Sequence, residues 1–337
     1  MEIMENKSML KKITGSREAI LLLIVAILAV FIEIKSGGVF FQLDNLNGMF
    51  KNYAVDFVIA IGMMLVMLTG GIDISVGSTL ALSGMCASLI FRDNQGLPII
   101  AVFAIAVVVG LCCGLLIGLV ISYGKVPPII ATMGCMNAFR GATYLVAHNE
   151  WVAAMDFTEN YKNFAQKSYL GFGIINNLLV IVIILYVIFY IILKWTPAGR
   201  KIYAVGSNAE AAAVSGINVR KVKTLCYVIL GGLTGLAGGM FTSLYASAQG
   251  NMGEGLEMDC IAACVVGGVS MTGGKGNIVG VFLGALVIAI IGKGLPLIGV
   301  SQFWQKAIKG VIILVFVILN VLVQRSVDKA ALKRREI

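Results

Sequence analysis

The chain has 337 residues, of which 59% are hydrophobic and 13% are charged, and Lys and Arg outnumber Asp and Glu by 26 to 17. Soluble domains carry about 25% charged residues, so this composition excludes an ordinary soluble globule and predicts a membrane protein. All seven cysteines lie in apolar runs, which argues against a disulfide framework. The single histidine, His148, has no Cys or His cluster near it, so we expect neither a metal site nor a cofactor.

Ten apolar runs predict membrane-spanning helices, because a span needs about 20 apolar residues, or fewer where neighbours bury it. The predicted spans are 18–34, 52–70, 75–91, 98–123, 127–146, 172–193, 224–246, 257–270, 277–292 and 304–323. They define an N-terminal segment (1–17), a transmembrane domain (18–323) and a basic tail (324–337). The run at 257–270 is the shortest, and TGGIDISVG at 69–77 suits either a loop or a broken helix.

Basic residues orient the spans, since cytoplasmic loops carry an excess of Lys and Arg. With the N-terminus inside, seventeen basic residues fall on inner segments and six on outer ones. Both termini and the polar interval 194–223 are therefore predicted to be cytoplasmic in a multi-pass protein. This topology accounts for the positive charge, so we predict no nucleic-acid partner.

Within the interval 194–223, the sequence Ser207-Asn-Ala-Glu210 has the form of a capping box. The Ser207 hydroxyl would accept a hydrogen bond from the N3 amide, and Glu210 would reach back to the cap amide. The helix would run from Ala209 to Ser215 and end at Gly216, a residue type suited to the position after a helix. By itself such a helix is either a solvated connector or a docking element.

The nearest approach to a nucleotide-binding loop is the stretch from Gly268 to Lys275. Its spacing is one residue too long for a P-loop, and no Ser or Thr follows the lysine to hold Mg²⁺. We therefore predict that this chain does not hydrolyse ATP and carries no catalytic residues.

Polar residues within or beside the spans are candidates for a substrate path. A charged side chain in the membrane is energetically costly unless it pairs with another group or contacts water. The candidates are Asp56, Asp73, Asn137 and Arg140. Asp56 lies one turn into the second span. Its carboxylate either reaches water at the headgroup boundary or accepts hydrogen bonds from hydroxyl groups of the substrate. Asp73 or Ser75 is suited to cap the third span, and Arg140 requires a carboxylate or carbonyl partner.

Two outer features suit contact with an external partner. Glu254, Glu257 and Asp259 cluster at the outer end of the eighth span, where acids also favour a helix N-terminus. The outer segment 147–171 carries Trp151 and Tyr161, which are typical of interface anchors and of contact surfaces.

Glycines recur at four-residue spacing, which lets helices approach closely. They are Gly110, Gly114 and Gly118 in the fourth span, and Gly231, Gly232, Gly235, Gly238 and Gly239 in the seventh. This spacing predicts close packing within the chain, and it also suits a dimer interface.

Several ordered motifs carry a resemblance to a known family. They include Thr69-Gly-Gly-Ile-Asp73, Thr196-Pro-Ala-Gly-Arg200, Tyr203-Ala-Val-Gly-Ser-Asn208, Gly253-Glu-Gly255 and Gly273-Gly-Lys-Gly276. In these motifs the chain resembles the permease subunits of bacterial ABC importers for simple sugars of the ribose, xylose and galactose type. The resemblance implies an all-α, cobalamin-permease-like fold of the type II importers, with ten spans in two inverted five-helix repeats, in the inner membrane.

The resemblance also implies partners and binding residues. A coupling helix, carried here by Ser207, Asn208, Glu210, Ala211, Ala212, Ser215 and Gly216, docks in a cleft of a separate ATPase subunit. An extracytoplasmic sugar-binding protein is expected on the outer face, where Glu254, Glu257 and Trp151 are the candidate contacts. A second permease copy or a paralogue completes the translocation path.

Two alternatives stay open. One is an ABC permease of the same fold for nucleosides or branched-chain amino acids. The other is a lone carrier driven by an ion gradient. A proton-driven carrier would place ionisable groups as a relay across several helices, whereas those in this chain are few and scattered.

Overall fold

The computed structural model describes residues 17–167, 175–301, 303–305, 307–312, 314, 315 and 318. Within these residues the regular secondary structure is helical, apart from an isolated antiparallel bridge between Val152 and Ala248. The prediction of an all-α protein is therefore confirmed for the described part of the chain.

The helices follow one another along the chain with short connections. They are α1 (Arg17–Lys35), α2 (Leu43–Leu68), α3 (Val76–Asp93), α4 (Ile99–Ser122), α5 (Pro128–Val146), α6 (Glu159–Gln166), α7 (Asn177–Trp195), α8 (Pro197–Ser207), α9 (Ala209–Val214), α10 (Val219–Tyr245), α11 (Leu256–Val266) and α12 (Ile278–Leu297), with a 3-10 turn at Ala154–Asp156. Among the described residues, α2, α4, α7, α10 and α12 are long and apolar enough to cross a membrane.

Nine of the ten predicted spans coincide with a helix: α1 to α5, α7 and α10 to α12. Of the tenth, 304–323, the described residues up to 318 are helical, and 319–323 lie outside the described residues. The segments 1–16 and 324–337 also lie outside them. Two helices at the polar interval, α8 and α9, follow α7 directly.

Helix α2 begins earlier than predicted, and this changes the position of Asp56. The helix starts at Leu43, nine residues before the predicted start at 52. Polar residues near its start, such as Asp44 and Lys51, lower the local hydropathy without ending the helix. Asp56 is thirteen residues from Leu43 and twelve from Leu68, so it lies roughly 20 Å from either end. Its predicted position one turn into the helix is therefore wrong.

Helix α11 is short and runs beside α2. It ends at Val266, four residues before the predicted end at 270. The thiol of Cys260 lies 3.9 Å from the carbonyl oxygen of Asp56, and that of Cys264 lies 3.4 Å from the carbonyl oxygen of Ala60. Because both helices advance four residues between these contacts, they run parallel, and Cys260, just after the first turn of α11, lies level with the middle of α2.

Helices α4 and α10 pack antiparallel along a seam of glycines. A Cβ atom at Gly110 would collide with the carbonyl oxygen of Gly231, and a Cβ atom at Gly231 would collide with that of Gly110. One turn further along, Gly114 packs on the backbone of Tyr227. The predicted role of these glycines in close packing is confirmed, and their contacts lie within one chain.

Helix α6 is attached to α10 by Tyr161, which is fully buried. The Tyr161 hydroxyl donates to the carbonyl of Gly239 at 3.1 Å and lies 2.8 Å from Thr242 Oγ1, and its carbonyl accepts from Ser243 Oγ at 2.6 Å. Burial raises the pKa of Tyr161 to about 12, so the phenol stays protonated. Tyr161 is a packing residue, and its prediction as an interface anchor or outer contact is wrong.

The glycine seam predicts a stability difference between two matched substitutions. Gly231→Ala should destabilise the protein by about 1–3 kcal/mol, because the added methyl meets backbone that cannot move aside. Gly310→Ala, at a helical glycine whose added Cβ would have none of the described atoms within 4 Å, should be neutral or stabilising, since Ala is the better helix former. Thermal unfolding of both variants in the same detergent measures the difference. A Gly231→Ala variant as stable as Gly310→Ala would contradict the seam.

Candidate functional site

Arg140, on α5, holds the loop that precedes α11. Its Nη1 donates to the carbonyl oxygens of Gly250 at 2.7 Å and Met252 at 2.8 Å. This confirms the prediction that Arg140 requires a carbonyl or carboxylate partner. Hydrogen bonds from a charged donor contribute about 1.5–3 kcal/mol each, so Arg140 fixes the loop 247–255 against α5.

The loop then brings the start of α11 against the start of α3. Gly77, in the first turn of α3, packs directly on the carbonyl of Gly253 and beside the carboxylate of Glu257. Gly255, the residue before α11, has φ +86°, which suits glycine and turns the chain into the helix. Two helix N-termini therefore meet in the interior, an arrangement typical of transporters with discontinuous helices.

The acids Glu254, Glu257 and Asp259 differ in exposure. Glu254 is exposed, whereas Glu257 and Asp259 are half-buried in the first turn of α11. Asp259 Oδ2 accepts from Lys309 Nζ at 2.7 Å, and each side chain is only about one-fifth exposed. The sequence placed the acids together and missed this ion pair, although a lysine inside an apolar run requires a counter-charge.

A cavity of about 420 Å³ opens beside Asp56 in the middle of α2. The Asp56 side chain is 7% exposed and lines this cavity. Its carboxylate accepts no hydrogen bond from any other of the described residues. The Asp259–Lys309 ion pair, Asn52 and Tyr53 line the same cavity, which lies where α10 and α12 end and α11 begins.

A larger cavity of about 1290 Å³ adjoins the first one. Its wall is the loop 247–255 with the first turn of α11, and it shares Asp259 and Lys309 with the smaller cavity. Glu254 and Glu257 line the larger cavity and Asp56 lines the smaller one, while Arg140 binds the loop that forms the wall of the larger cavity. The sequence predicted Glu254 and Glu257 together, but placed neither of them near Asp56 or Arg140, because these residues are far apart along the chain.

Asp73 lies apart from this region and is 3% exposed. Its Oδ1 accepts from the amide of Ser75 at 2.7 Å and from its hydroxyl at 2.6 Å. Ser75 is the N-cap residue of α3, but its side chain makes no cap hydrogen bond. The prediction that the side chain of Asp73 or Ser75 caps α3 is therefore wrong. The Asp73 carboxylate instead stabilises the turn that precedes the helix, through its hydrogen bonds to Ser75.

Asn137 lies on the exposed face of α5. Its side-chain amide donates to the carbonyl of Met133 on its own helix at 3.0 Å. On the same face Ile130 and Met133 are 63% and 48% exposed. A Cβ atom added at Gly134 or Gly141 would have none of the described atoms within 4 Å. The described part of the chain leaves this face of α5 uncovered.

The polar interval 194–223 contains two helices joined at Asn208. The N-cap of α9 is Asn208, whose Oδ1 accepts from the amide of Ala211 at 3.0 Å. Ser207 is the last residue of α8, and the amide of Asn208 donates to the carbonyl of Ala204 at 3.1 Å. The predicted capping box of Ser207 and Glu210 is therefore wrong by one residue, because α8 extends through Ser207.

Helix α9 ends just before Gly216, as the sequence predicts. Gly216 has φ +81°, its amide donates to Ala213, and the amide of Ile217 donates to Ala212, each at 3.0 Å. This is the Schellman arrangement for which glycine is preferred. Ala212 is buried, whereas Val214 is 91% exposed, so one side of α9 packs on the protein and the other is open.

Helix α8 lies directly against the end of α2. Gly206 packs on the carbonyl of Leu68, the last residue of α2, and the amide of Gly274 donates to that carbonyl at 2.9 Å. The Tyr203 hydroxyl donates to the carbonyl of Gly276 at 2.9 Å, and burial raises the pKa of Tyr203. The motif Gly273-Gly-Lys-Gly276, which is not a P-loop, is thus the surface on which α8 rests.

Helix α8 was not predicted as a separate helix, although its start carries a clear signal. Thr196 Oγ1 accepts from the amide of Gly199 at 3.3 Å, and Pro197 occupies the first helical position. A capping residue followed by proline is typical of a helix start.

Trp151 lies at the end of the bundle that carries α6, beside the bridge between Val152 and Ala248. It is 68% exposed, and nearby Met155 is 87% exposed. Both apolar side chains are thus available at this surface, in contrast to the buried Tyr161.

Known proteins resemble this chain along most of its length. Residues 51–317 match the family model described as branched-chain amino acid transport system / permease component. The chain is 37% identical to the ribose import permease protein of Bacillus subtilis over 295 residues, which is 87% of this chain and 89% of that protein. It is 39% identical to the ribose import permease protein of Escherichia coli K12 over 288 residues, 83% and 87% of the two chains.

A further relative is the galactose/methyl galactoside import permease protein of Haemophilus influenzae, which is 33% identical over 314 residues, 88% of this chain and 92% of that protein. No solved structure matches the chain. The family model covers most of the sequence, including both cavities and the helices α8 and α9. The chain therefore belongs to the family of branched-chain amino acid transport system permease components.

Proposed function

We propose that this chain is the membrane-spanning permease of an ATP-driven importer for simple sugars. The observation that carries the proposal is identity of 33 to 39% to relatives named for ribose and for galactose or methyl galactoside import, along more than four-fifths of both chains. The family description names branched-chain amino acids, which remain the second candidate substrate. The chain forms the passage and does no covalent chemistry.

The proposed fold is the ten-span, cobalamin-permease-like arrangement with two inverted five-helix repeats. Support comes from the nine helices that coincide with predicted spans and from the helical residues between 303 and 318. The shorter helices α3 and α11 are largely buried among their neighbours, as short spans must be. The spans form one transmembrane domain, 18–323, between the segment 1–17 and the basic tail 324–337.

The passage is proposed to lie between two permease copies or a copy and a paralogue. The uncovered face of α5, with Asn137 among apolar side chains, supports this arrangement, because a second copy would bury the apolar residues. Arg140 then acts as a positioning residue for the loop 247–255, and Asp73 as a turn-forming residue. Asn137 is the candidate that a passing substrate would meet directly.

An external sugar-binding protein is proposed to dock at the end of the bundle that carries α6. Trp151, Met155 and Glu254 support this, since all three are exposed there. Exposed aromatic residues are enriched at protein interfaces. Glu257 is turned inward beside Gly77, so it is the weakest of the candidate contacts.

An ATPase subunit is proposed to dock on α9. The exposed residues Asn208, Glu210, Ala211, Ser215 and Gly216 form the contact surface. Val214 supplies an exposed apolar side chain to it. ATP binding and hydrolysis would move α9 and α8 together, and α8 rests on the end of α2. The movement thereby reaches the helix that carries Asp56.

The capping of α9 predicts different effects for two neighbouring substitutions. Asn208→Ala removes the cap and should destabilise the six-residue helix by about 1 kcal/mol, which corresponds to roughly fivefold weaker binding of the ATPase subunit. Ser207→Ala removes an exposed hydroxyl that makes no cap bond and should bind like wild type. Affinity for the ATPase subunit, measured in the same detergent, separates them. Equal loss in both variants would contradict the assignment of the cap.

The orientation is proposed from the distribution of basic residues, with α8, α9 and both termini in the cytoplasm of a bacterial cell. Asn208 and Asn160 lie at opposite ends of the bundle and are both exposed. Single cysteines at these positions in a cysteine-free background should react with an impermeant maleimide from opposite sides of the membrane. Reaction of both from outside would overturn the orientation.

The function is tested by reconstitution in proteoliposomes with the ATPase and binding protein encoded by neighbouring genes. We expect ATP-dependent uptake of a simple sugar such as ribose or galactose, and a purified complex whose mass contains two permease chains. Uptake of leucine or a nucleoside in place of any sugar would support the alternative substrates. Uptake by the chain alone with an ion gradient and no ATPase would establish a lone carrier.

A further inference from the structure

We infer that the cavity beside Asp56 is a binding site for a neutral, hydroxyl-rich ligand of the size of one sugar unit, within each permease copy. This inference rests on the proposed function, which it deepens by assigning a binding site inside the membrane-spanning chain. It is distinct from the passage proposed between two copies, which is bordered by α5.

Asp56 is itself the first sign of a ligand. Its carboxylate lies at the middle of α2, is only 7% exposed, and accepts no hydrogen bond from the other described residues while it lines the cavity. A buried carboxylate without a partner is costly. Such residues in membrane proteins face bundle interiors or water-filled cavities and mark substrate or ion pathways.

The charge of the cavity favours a neutral ligand. Its described lining contains two carboxylates, Asp56 and Asp259, and two ammonium groups, Lys293 and Lys309. The formal charges sum to zero, and Asp259 and Lys309 already form an ion pair at 2.7 Å. Equal numbers of the charged groups in this lining would therefore attract and repel a metal cation or an organic anion.

The polar groups that line the cavity suit a ligand with several hydroxyl groups and an apolar ring face. Asp56 supplies two carboxyl oxygens that can form hydrogen bonds with hydroxyl groups of a ligand. Asn52 can both donate and accept, and Tyr53 and Tyr245 add phenol groups. An apolar wall is supplied by Phe241 and Leu256.

Size and access agree with a ligand of one sugar unit. The volume of about 420 Å³ falls within the range of about 300–1,000 Å³ that is usual for small-molecule pockets. The larger cavity, with its wall at the loop 247–255, adjoins it and shares Asp259 and Lys309. A sugar released above this loop would reach Asp56 by way of the larger cavity.

The experiment measures binding to the purified full-length permease in detergent, without the binding protein. D-ribose and D-galactose are titrated by calorimetry, with L-leucine and sodium chloride as comparators. We expect saturable binding of at least one sugar and of neither comparator. Asp56→Asn should weaken it at least tenfold, because an amide NH2 group replaces one carboxyl oxygen facing the ligand without changing the shape of the side chain.

Two further variants make the result specific. Asp44→Asn alters an exposed acid in the first turn of the same helix and should bind like wild type. Tyr53→Phe keeps the ring, removes one phenol from the cavity and should weaken binding several-fold. If Asp56→Asn does not fold, Tyr53→Phe carries the test.

The outcomes separate this inference from the proposed function. Sugar uptake by the whole complex without saturable sugar binding to the permease would overturn the inference and leave the function standing. Sugar binding that both Asp56→Asn and Tyr53→Phe leave unchanged would also overturn it, as would binding of leucine or sodium in place of sugar. Failure of the complex to import any sugar would reject the proposed function itself.

Discussion

The arrangement of both cavities depends on the two hydrogen bonds from Arg140 to the carbonyls of Gly250 and Met252. Irregular backbone within a membrane protein has no water to satisfy it unless it lines a cavity or is bonded to protein. The loop 247–255 meets both conditions, because Arg140 binds two of its carbonyls and the larger cavity lies along it. With the loop fixed, the first turn of α11 lies beside α2 and brings Asp259 to the cavity of Asp56.

Helix α2 joins the two candidate functional regions. Asp56 lies at its middle and Leu68 at its end, where the carbonyl of Leu68 contacts Gly206 of α8 and accepts from Gly274. Twelve helical residues separate them, a distance of about 18 Å. Because the contact at Leu68 is between backbones, no flexible side chain can absorb a displacement of α8. A movement of α9 would thus be passed to the cavity along a single helix.

Local patterns in the sequence predicted local structure well. The helical spans, the Schellman end at Gly216 and the close packing of Gly110 with Gly231 all follow from residue types and spacing. The cap of α9 was misplaced because Ser207 and Asn208 are both good caps, and the preceding helix decides between them. The depth of Asp56 was misjudged because polar residues in the first turns of α2 resemble a loop in hydropathy. The pairing of Asp259 with Lys309, fifty residues apart, has no local signal.

The glycine seam between α4 and α10 has a consequence for how the protein changes shape. Helices whose backbones touch along several turns cannot slide or rotate against each other without collision, so α4 and α10 form one rigid body. Conformational exchange must then occur at helices with looser contacts. Helix α5 meets its neighbours mainly through α3 and little through α4, and one of its faces is uncovered. Any displacement of α5 relative to this rigid pair would carry the loop 247–255 with it, because Arg140 binds two carbonyls of that loop.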